Sequence, residues 1–243
     1  MAQLSDIRDE ITAVVQSDLL NPAYLVTTLD NRINRAVSSI AAGIRMPNGQ
    51  ISPPLPDLYS SGTVATATDA AYKALPATYQ RNVFMIADDS NDKILPVSGG
   101  SYYDFMLFLD SVTEKDLSET GSIYRVAIKG SNLYYQGIPS SSEDLTVHFY
   151  RKPVDMSADS DTPDGLPDHL QYRLIKHAVV MDIFADDLKE DFKSAQLREL
   201  KIKYHIEAFY SAMADLVDFI GIDEIPVYLA GGNSGFQDLG ICD

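Results

Sequence analysis

The fold turns on VHFYRKPVDMSADSDTPDGLPDHLQYRLIK, residues 147–176. From Val147 to Tyr150 apolar and polar side chains alternate, the period-two pattern of a half-buried strand. Pro153 ends that pattern, since proline cannot donate to a sheet ladder. A polar run follows, with Asp155, Asp159, Asp161, Pro163, Asp164 and Gly165, and after Pro167 the apolar spacing becomes helical. Proline suits the first turn of a helix, where its missing N–H would have had no intrahelical partner. An acidic joint thus connects a strand-forming segment to a helix-forming one.

Downstream of the joint, Leu170, Leu174, Ile175, Ala178, Val179, Met181 and Phe184 form a broad apolar face. A second helix is predicted over 189–220, with Phe192, Leu197, Leu200, Tyr204, Met213, Leu216 and Ile220 among its apolar positions and Gly221 as its C-cap. At the other end of the chain, Leu4, Ile7, Ile11, Val14, Val15 and Leu19 fall on one stripe of an amphipathic helix over 4–19, which Asn21-Pro22 breaks. Leu29, Ile33, Val37, Ile40 and Ile44 predict another helix over 28–44, with Thr28 as N-cap and Gly43 near its end. The two make an αα-hairpin.

Between these ends the signals are mainly β. Residues 46–62 carry Pro47, Pro53, Pro54, Pro56, Gly49 and Gly62, and are expected to be loop. YQRNVFMIA (79–87) and KILPV (93–97) flank DDSND, which predicts a hairpin turn. SIYRVAIKG (122–130), NLYYQGI (132–138) and DLTVHFYRK (144–152) are expected to form a meander, turning at Gly130-Ser131 and over 139–143. YYDFMLFLDSVTEKDL (102–117) fits a short buried helix, with a strand as the alternative. The expected fold is therefore α+β. Residues 1–45 and 167–220 form a mainly α-helical bundle, 46–166 an inserted β-rich domain with linkers, and 221–243 an extended C-terminal arm. The joint is then the return crossing from the insertion to the helices.

Composition narrows the function. The chain has 243 residues, 45% of them hydrophobic, and a formal charge of −16. A surface that acidic does not bind a nucleic-acid backbone, which needs clustered Lys and Arg. No apolar run approaches the roughly 18 residues of a membrane span, and no basic-then-apolar leader opens the chain, so a protein that is intracellular, or assembled there, is expected. Cys242 is the single cysteine, which rules out an intrachain disulfide, and a terminal thiol has no held base to activate it.

Motifs for chemistry are missing. His148, His169, His177 and His205 form no H-E-x-x-H, and His169 and His177 lie two helical turns apart. Read as a calcium loop from Asp159, the joint has proline at position 5, glycine one place late and Leu170 at position 12. It is read instead as a solvated turn held by Asx-type bonds. No phosphate-binding glycine loop follows a strand, Gly231, Gly232 and Gly235 lie in the arm, and no nucleophile elbow occurs. Adjacent carboxylates such as Asp186 and Asp187 point apart on a helix. No catalytic, cofactor-binding or metal residue is assigned. From Asp155 to Asp191 there are ten acidic residues but only Arg173, Lys176 and Lys189 as basic ones, which suits a solvated face, a channel lining or a basic partner.

The order of these segments resembles the head-to-tail adaptor (connector, or head-completion) proteins of tailed bacteriophages. DIRDEITAVVQ and LDNRINRAVSSIAAGI are similar to the family's opening helix pair. YKALPATYQRNVFMI and TGSIYRVAIKGSNLYYQGIPSSSEDLTVHFYRKPVDM resemble its strand run ending in an aromatic-rich YRKP. SDTPDGLPDHLQYRLIKHAVVMDIF and FKSAQLRELKIKYHIEAFYSAM resemble its C-terminal helices. The resemblance implies a non-enzymatic virion protein that forms a dodecameric ring beneath the portal, joins it to the tail or nozzle, and leaves an axial channel for DNA that passes without specific binding. It also implies assembly in the host cytoplasm, with no membrane and no cofactor. Ile225, Val227, Tyr228, Leu229, Phe236 and Leu239 are the apolar anchors of an arm suited to folding on a partner. The alternatives are another neck or tail structural protein and an acidic carboxylate-dependent enzyme.

Overall fold

The structure, a computed structural model, describes residues 2–16, 25–95, 97–98, 120–185 and 195–221. The expectations for Leu19, for the segment 102–117, for the acidic pair Asp186 and Asp187, and for the arm anchors fall outside these residues. The fold is α+β, with four α-helices and two four-stranded sheets among the described residues. The chain folds into two compact units, one helical and one β-rich, and it passes between them at Leu58/Tyr59 and at Arg151/Lys152.

The helical unit contains α1 (Leu4–Val15), α2 (Leu25–Ala42), α3 (Gln171–Ala185) and α4 (Ala195–Ile220). Asp6 accepts the N–H of Gln3 at 3.3 Å and so satisfies one free donor at the start of α1. The predicted stripe of α1 is buried at Leu4, Ile7, Ile11 and Val15. That of α2 is buried at Leu29, Ile33, Val37 and Ile40, and the helix ends at Gly43, whose φ of 104° suits a residue without Cβ. Thr28 lies inside α2 rather than at its cap, for the helix begins at Leu25. A hydroxyl that can cap is also tolerated within a helix, where it bonds back to the preceding turn.

Pro167 opens a turn in which its carbonyl accepts from Leu170 and Gln171 at 2.9 and 3.2 Å, and α3 grows from there. Leu174, Ile175, Val179, Val180, Ile183 and Phe184 of α3 join Phe209, Ala212, Met213 and Leu216 of α4 in one core with the stripes of α1 and α2. Gly221, with φ of 79°, follows the last turn of α4 as expected. None of these helices is long and apolar enough to cross a membrane.

In the second unit, one sheet has the order β1 (Tyr59–Ala65), β8 (Asp144–Arg151), β3 (Tyr79–Asp88), β4 (Lys93–Ile94). The other has β2 (Tyr72–Ala74), β7 (Asn132–Gln136), β6 (Arg125–Lys129), β5 (Val97–Ser98). All pairings are antiparallel except β5 with β6. Val64, Ile86, Ile123, Val126, Leu133, Tyr135, Leu145, Val147 and Phe149 pack in their common core. The DDSND turn forms as read, and buried Asp88 holds it by accepting the N–H groups of Ser90 and Asn91, each at 3.2 Å.

Three β expectations are corrected. Residues 59–65, counted partly as loop, form the edge strand β1; YSSGTVA is polar and glycine-bearing because an edge strand is covered on one side only. KILPV is not one strand, for β4 and β5 belong to different sheets. The meander breaks after β7, since β8 leaves the β6–β7 hairpin and inserts between β1 and β3. Alternation tells which face of β8 is buried and says nothing of which strand lies beside it. The chain turns away at Gly137, where φ is 88° and an added Cβ would stand 2.3 Å from the Ser122 carbonyl oxygen.

Candidate functional site

The acidic joint is the first place to look for chemistry, and three of its carboxylates, those of Asp159, Asp161 and Asp164, are engaged locally. Asp161 accepts the N–H groups of Ser157 and Ala158 at 2.7 and 2.8 Å, which holds its carboxyl below the ordinary aspartate range. Asp164 accepts Val154 N–H at 2.8 Å, and Asp159 pairs with Arg8 of α1 at 3.0 Å. The backbone joins in, with Leu4 N–H on the Asp161 carbonyl at 2.8 Å and Ser5 N–H on that of Asp159 at 3.2 Å. Asn34 of α2 completes the latch. Its amide donates to the Met156 carbonyl and its oxygen accepts Met156 N–H, both at 2.9 Å. The joint is therefore a strap tied to α1 and α2, in addition to the Asx-type turn expected.

Such an arrangement serves structure. No group of three or more His, Cys, Asp or Glu side chains capable of holding a metal occurs among the described residues. An open cleft of about 370 Å³ lies beside α2, lined by Asn31, Asn34, Arg35, Ser38, Ser39 and Asp155 among others. Asp155 is its one acidic lining residue, so the cleft does not bring two carboxylates face to face as acid–base hydrolysis requires.

Helix α3 is the hub of the helical unit. Its Lys176 pairs with Glu10 of α1 at 3.0 Å, its Asp182 with Arg32 and Arg35 of α2 at 2.6 Å each, and its Arg173 with Asp215 of α4. Gln171, buried at its start, accepts Ala2 N–H and donates to the Leu166 carbonyl, both at 2.9 Å. At the other end Arg198 of α4 reaches the Phe184 carbonyl at 2.6 Å and the Ala185 carbonyl at 3.4 Å, closing the C-terminus of α3. Between α3 and α4 the Nδ1 atoms of His177 and His205 stand 2.9 Å apart, with the ring of Tyr204 edge-on to both. Burial is the main cause that lowers the pKa of each, and it pushes His205 down to about 4.

With the interior committed to packing, the outward surfaces are the candidate site. Leu197, Leu200 and Tyr204, read among the apolar positions of α4, do not join its core; they are 43%, 67% and 60% exposed. Their spacing of three and four residues puts them on one stripe, and their outward position becomes visible only once α3 defines which face of α4 is covered. In the β unit a second apolar face gathers Tyr59, Phe84, His148 and Tyr150, with Tyr59 Oη bonded to His148 Nδ1 at 2.8 Å and ring centroids 5.7–6.1 Å apart. The register of β3 shifts on β8 between Arg81 and Met85, with Asn82 at φ 49°, and Phe84 lies within this irregularity.

A chain with engaged carboxylates and apolar outward faces is suited to protein contact. The family model described as SU10 adaptor protein matches residues 3–224. The chain belongs to the SU10 adaptor protein family. This bears out the resemblance to phage head-to-tail adaptors and makes the protein a member of a structural family of the virion. No curated protein matches it. The arm anchors Ile225, Val227, Tyr228, Leu229, Phe236 and Leu239 lie beyond the described residues, so the outward faces of α4 and of the β1–β8–β3 sheet are the surfaces that the geometry adds.

Proposed function

We propose that this SU10-family adaptor assembles as a ring, expected to be dodecameric, beneath the portal, joins it to the tail or nozzle, and leaves an axial channel through which DNA passes. The family match over residues 3–224 carries this reading. In it the terminal helices act as a bundle (1–45 and 167–220), the β-rich insertion (46–166) offers a second contact surface, and the arm (221–243) docks on a partner through its apolar anchors. A formal charge of −16 supports the passage of DNA, since a net acidic lumen repels phosphate and leaves little to hold it. The protein then works by shape and subunit contact in the neck of the virion, after assembly in the host cytoplasm.

The test is electron microscopy of the purified full chain mixed with portal rings from the same phage. Ring-shaped density of added subunits, stacked on the portal with an open axis, is expected. A chain that stays monomeric and leaves the portal bare would overturn the proposal.

A further inference from the structure

A sheet edge carries a row of unpaired backbone N–H and C=O groups, and folded proteins keep such edges short or charged. Among the described residues, three of the four edge strands follow that rule. β4 and β5 have two residues each and β2 has three, with Lys93 in β4 and Lys73 in β2. β1 departs from it. It runs for seven residues, YSSGTVA, with no charge, no proline and no register shift against β8. Its backbone bonds to β8 alone among the described residues. Tyr59, Ser61, Thr63 and Ala65 are exposed along it, and across the register His148 and Tyr150 continue the aromatic face that Tyr59 begins.

An edge of this kind takes up an extended strand, held by main-chain bonds and by side chains on alternate faces. Two copies of a chain of charge −16 repel, and a contact that brings no charges together avoids adding to that repulsion. The stretch 58–68, which contains β1, has no charged residue, and neither has 225–237 of the arm. Within the arm, Val227 and Tyr228 favour extended backbone, Pro226 is tolerated at the start of a strand, and Gly231-Gly232 ends one. Alternation puts Tyr228 on the face of Tyr59 and His148 when Val227 and Leu229 take the face of Gly62 and Val64. The lead from Gly221, at the end of α4, to Val227 spans about 20 Å when extended, the reach of a subunit packed alongside.

From this we infer that residues 227–230 of the arm add as a strand to the free edge of β1 in a second copy of this chain. The inference rests on the ring reading above and names the contact that repeats around it. Edge and strand both belong to this chain and are different surfaces of it, so the contact is head-to-tail, the kind that closes into a ring. Main-chain hydrogen bonds supply the hold, and Tyr228 extends the aromatic face.

Photo-cross-linking of the full chain assembled on portal rings tests this, with p-benzoylphenylalanine placed at Tyr228. Irradiation is expected to give a ladder of linked subunits, and mass spectrometry should place the adduct within β1 or its neighbours His148 and Tyr150. A proline scan gives a second readout. Val227→Pro, Tyr228→Pro, Leu229→Pro and Ala230→Pro should raise the concentration for half-maximal ring formation about tenfold at two alternate positions and by much less at the two between. Only every second N–H of an added strand faces its neighbour, so equal effects at all four would overturn the strand. Rings that form with the adduct inside the same subunit, on the portal or nowhere in the β1 sheet would overturn this contact and leave the ring reading intact. Absence of rings from the parent chain would defeat both.

Discussion

Acidification should loosen the helical unit through one pair of side chains. His177 and His205 are 7% and 4% exposed and share a single hydrogen bond between their Nδ1 atoms, so one must donate and the other accept. The seam between the two Nδ1 atoms holds one proton; burial of both rings, with Arg173 and Lys176 on α3 and Lys201 on α4, opposes a further positive charge. Burial, with these cations, takes His205 from the ordinary 6.5 to about 4. The unfolded chain therefore binds this proton first as pH falls. Stability is full above about pH 6.5, declines from there toward pH 4, and levels off below. For His205 alone the loss at pH 5 is about 2 kcal/mol, and it approaches about 3 kcal/mol once both states are protonated. Urea unfolding followed at 222 nm between pH 7.5 and pH 5 should show the midpoint falling by about 1 M. That window avoids most carboxylate titration. A His177→Leu/His205→Phe double variant removes both partners together and should flatten the dependence over the same range. An unchanged slope in that variant would refute the assignment, and so would a midpoint in the parent chain that does not move.

Other substitutions probe the strap, the sheets and the arm. Asn34→Ala deletes both bonds to Met156 and should destabilise the helical unit by about 1–3 kcal/mol in urea, without altering the β unit's protection from amide exchange. Gly165→Ala sets a Cβ 2.6 Å from Leu58 at a residue with φ of 80°, so a loss of about 2–3 kcal/mol is expected; a further Leu58→Ala change should relieve the clash but not the backbone strain. Tyr135→Phe removes the hydroxyl that accepts Ala67 N–H at 2.9 Å and donates to the Ala70 carbonyl at 2.6 Å; it should cost about 1–2 kcal/mol and raise proteolytic nicking between Ala67 and Ala71. Deleting residues 223–243 should weaken assembly on the portal while the far-UV helical signal stays unchanged, and loss of that signal would contradict the proposed role of the arm.

Sequence and structure agree where physics is local. Leu4, Ile7 and Ile11, or Leu29, Ile33 and Val37, repeat at the helical period because one face of each helix must leave water, and the buried faces are those the period picks out. Gly43 and Gly221 mark helix ends for an equally local reason, a backbone that needs positive φ. The β unit is harder. The alternation in β8 orients Leu145, Val147 and Phe149 correctly, yet its neighbours β1 and β3 are fixed by pairings across some 60–90 residues of chain, which no window of sequence contains. The α4 stripe fails in the opposite sense. Leu197, Leu200 and Tyr204 carry a core-like spacing yet stand outside the core, because spacing gives a stripe but not which neighbour covers it.

The acidity of the joint has a local cause as well. In a loop of this length each N–H left without secondary structure needs an acceptor, and a carboxylate supplies two oxygens at once. Asp161 and Asp164 take up three such donors within the joint, and Asp159 ties it to Arg8, which Asp30 of α2 also holds at 2.9 Å. Replacing Asp161 with Asn keeps one acceptor oxygen but loses the charge, so the two bonds should weaken rather than vanish. If the strap then still binds α1 through the Leu4 and Ser5 amides, the carboxylate is a local brace and the grip on the helices belongs to the backbone and to Asn34. On that reasoning the charge of the joint is a consequence of building a tight, water-facing strap within the helical unit.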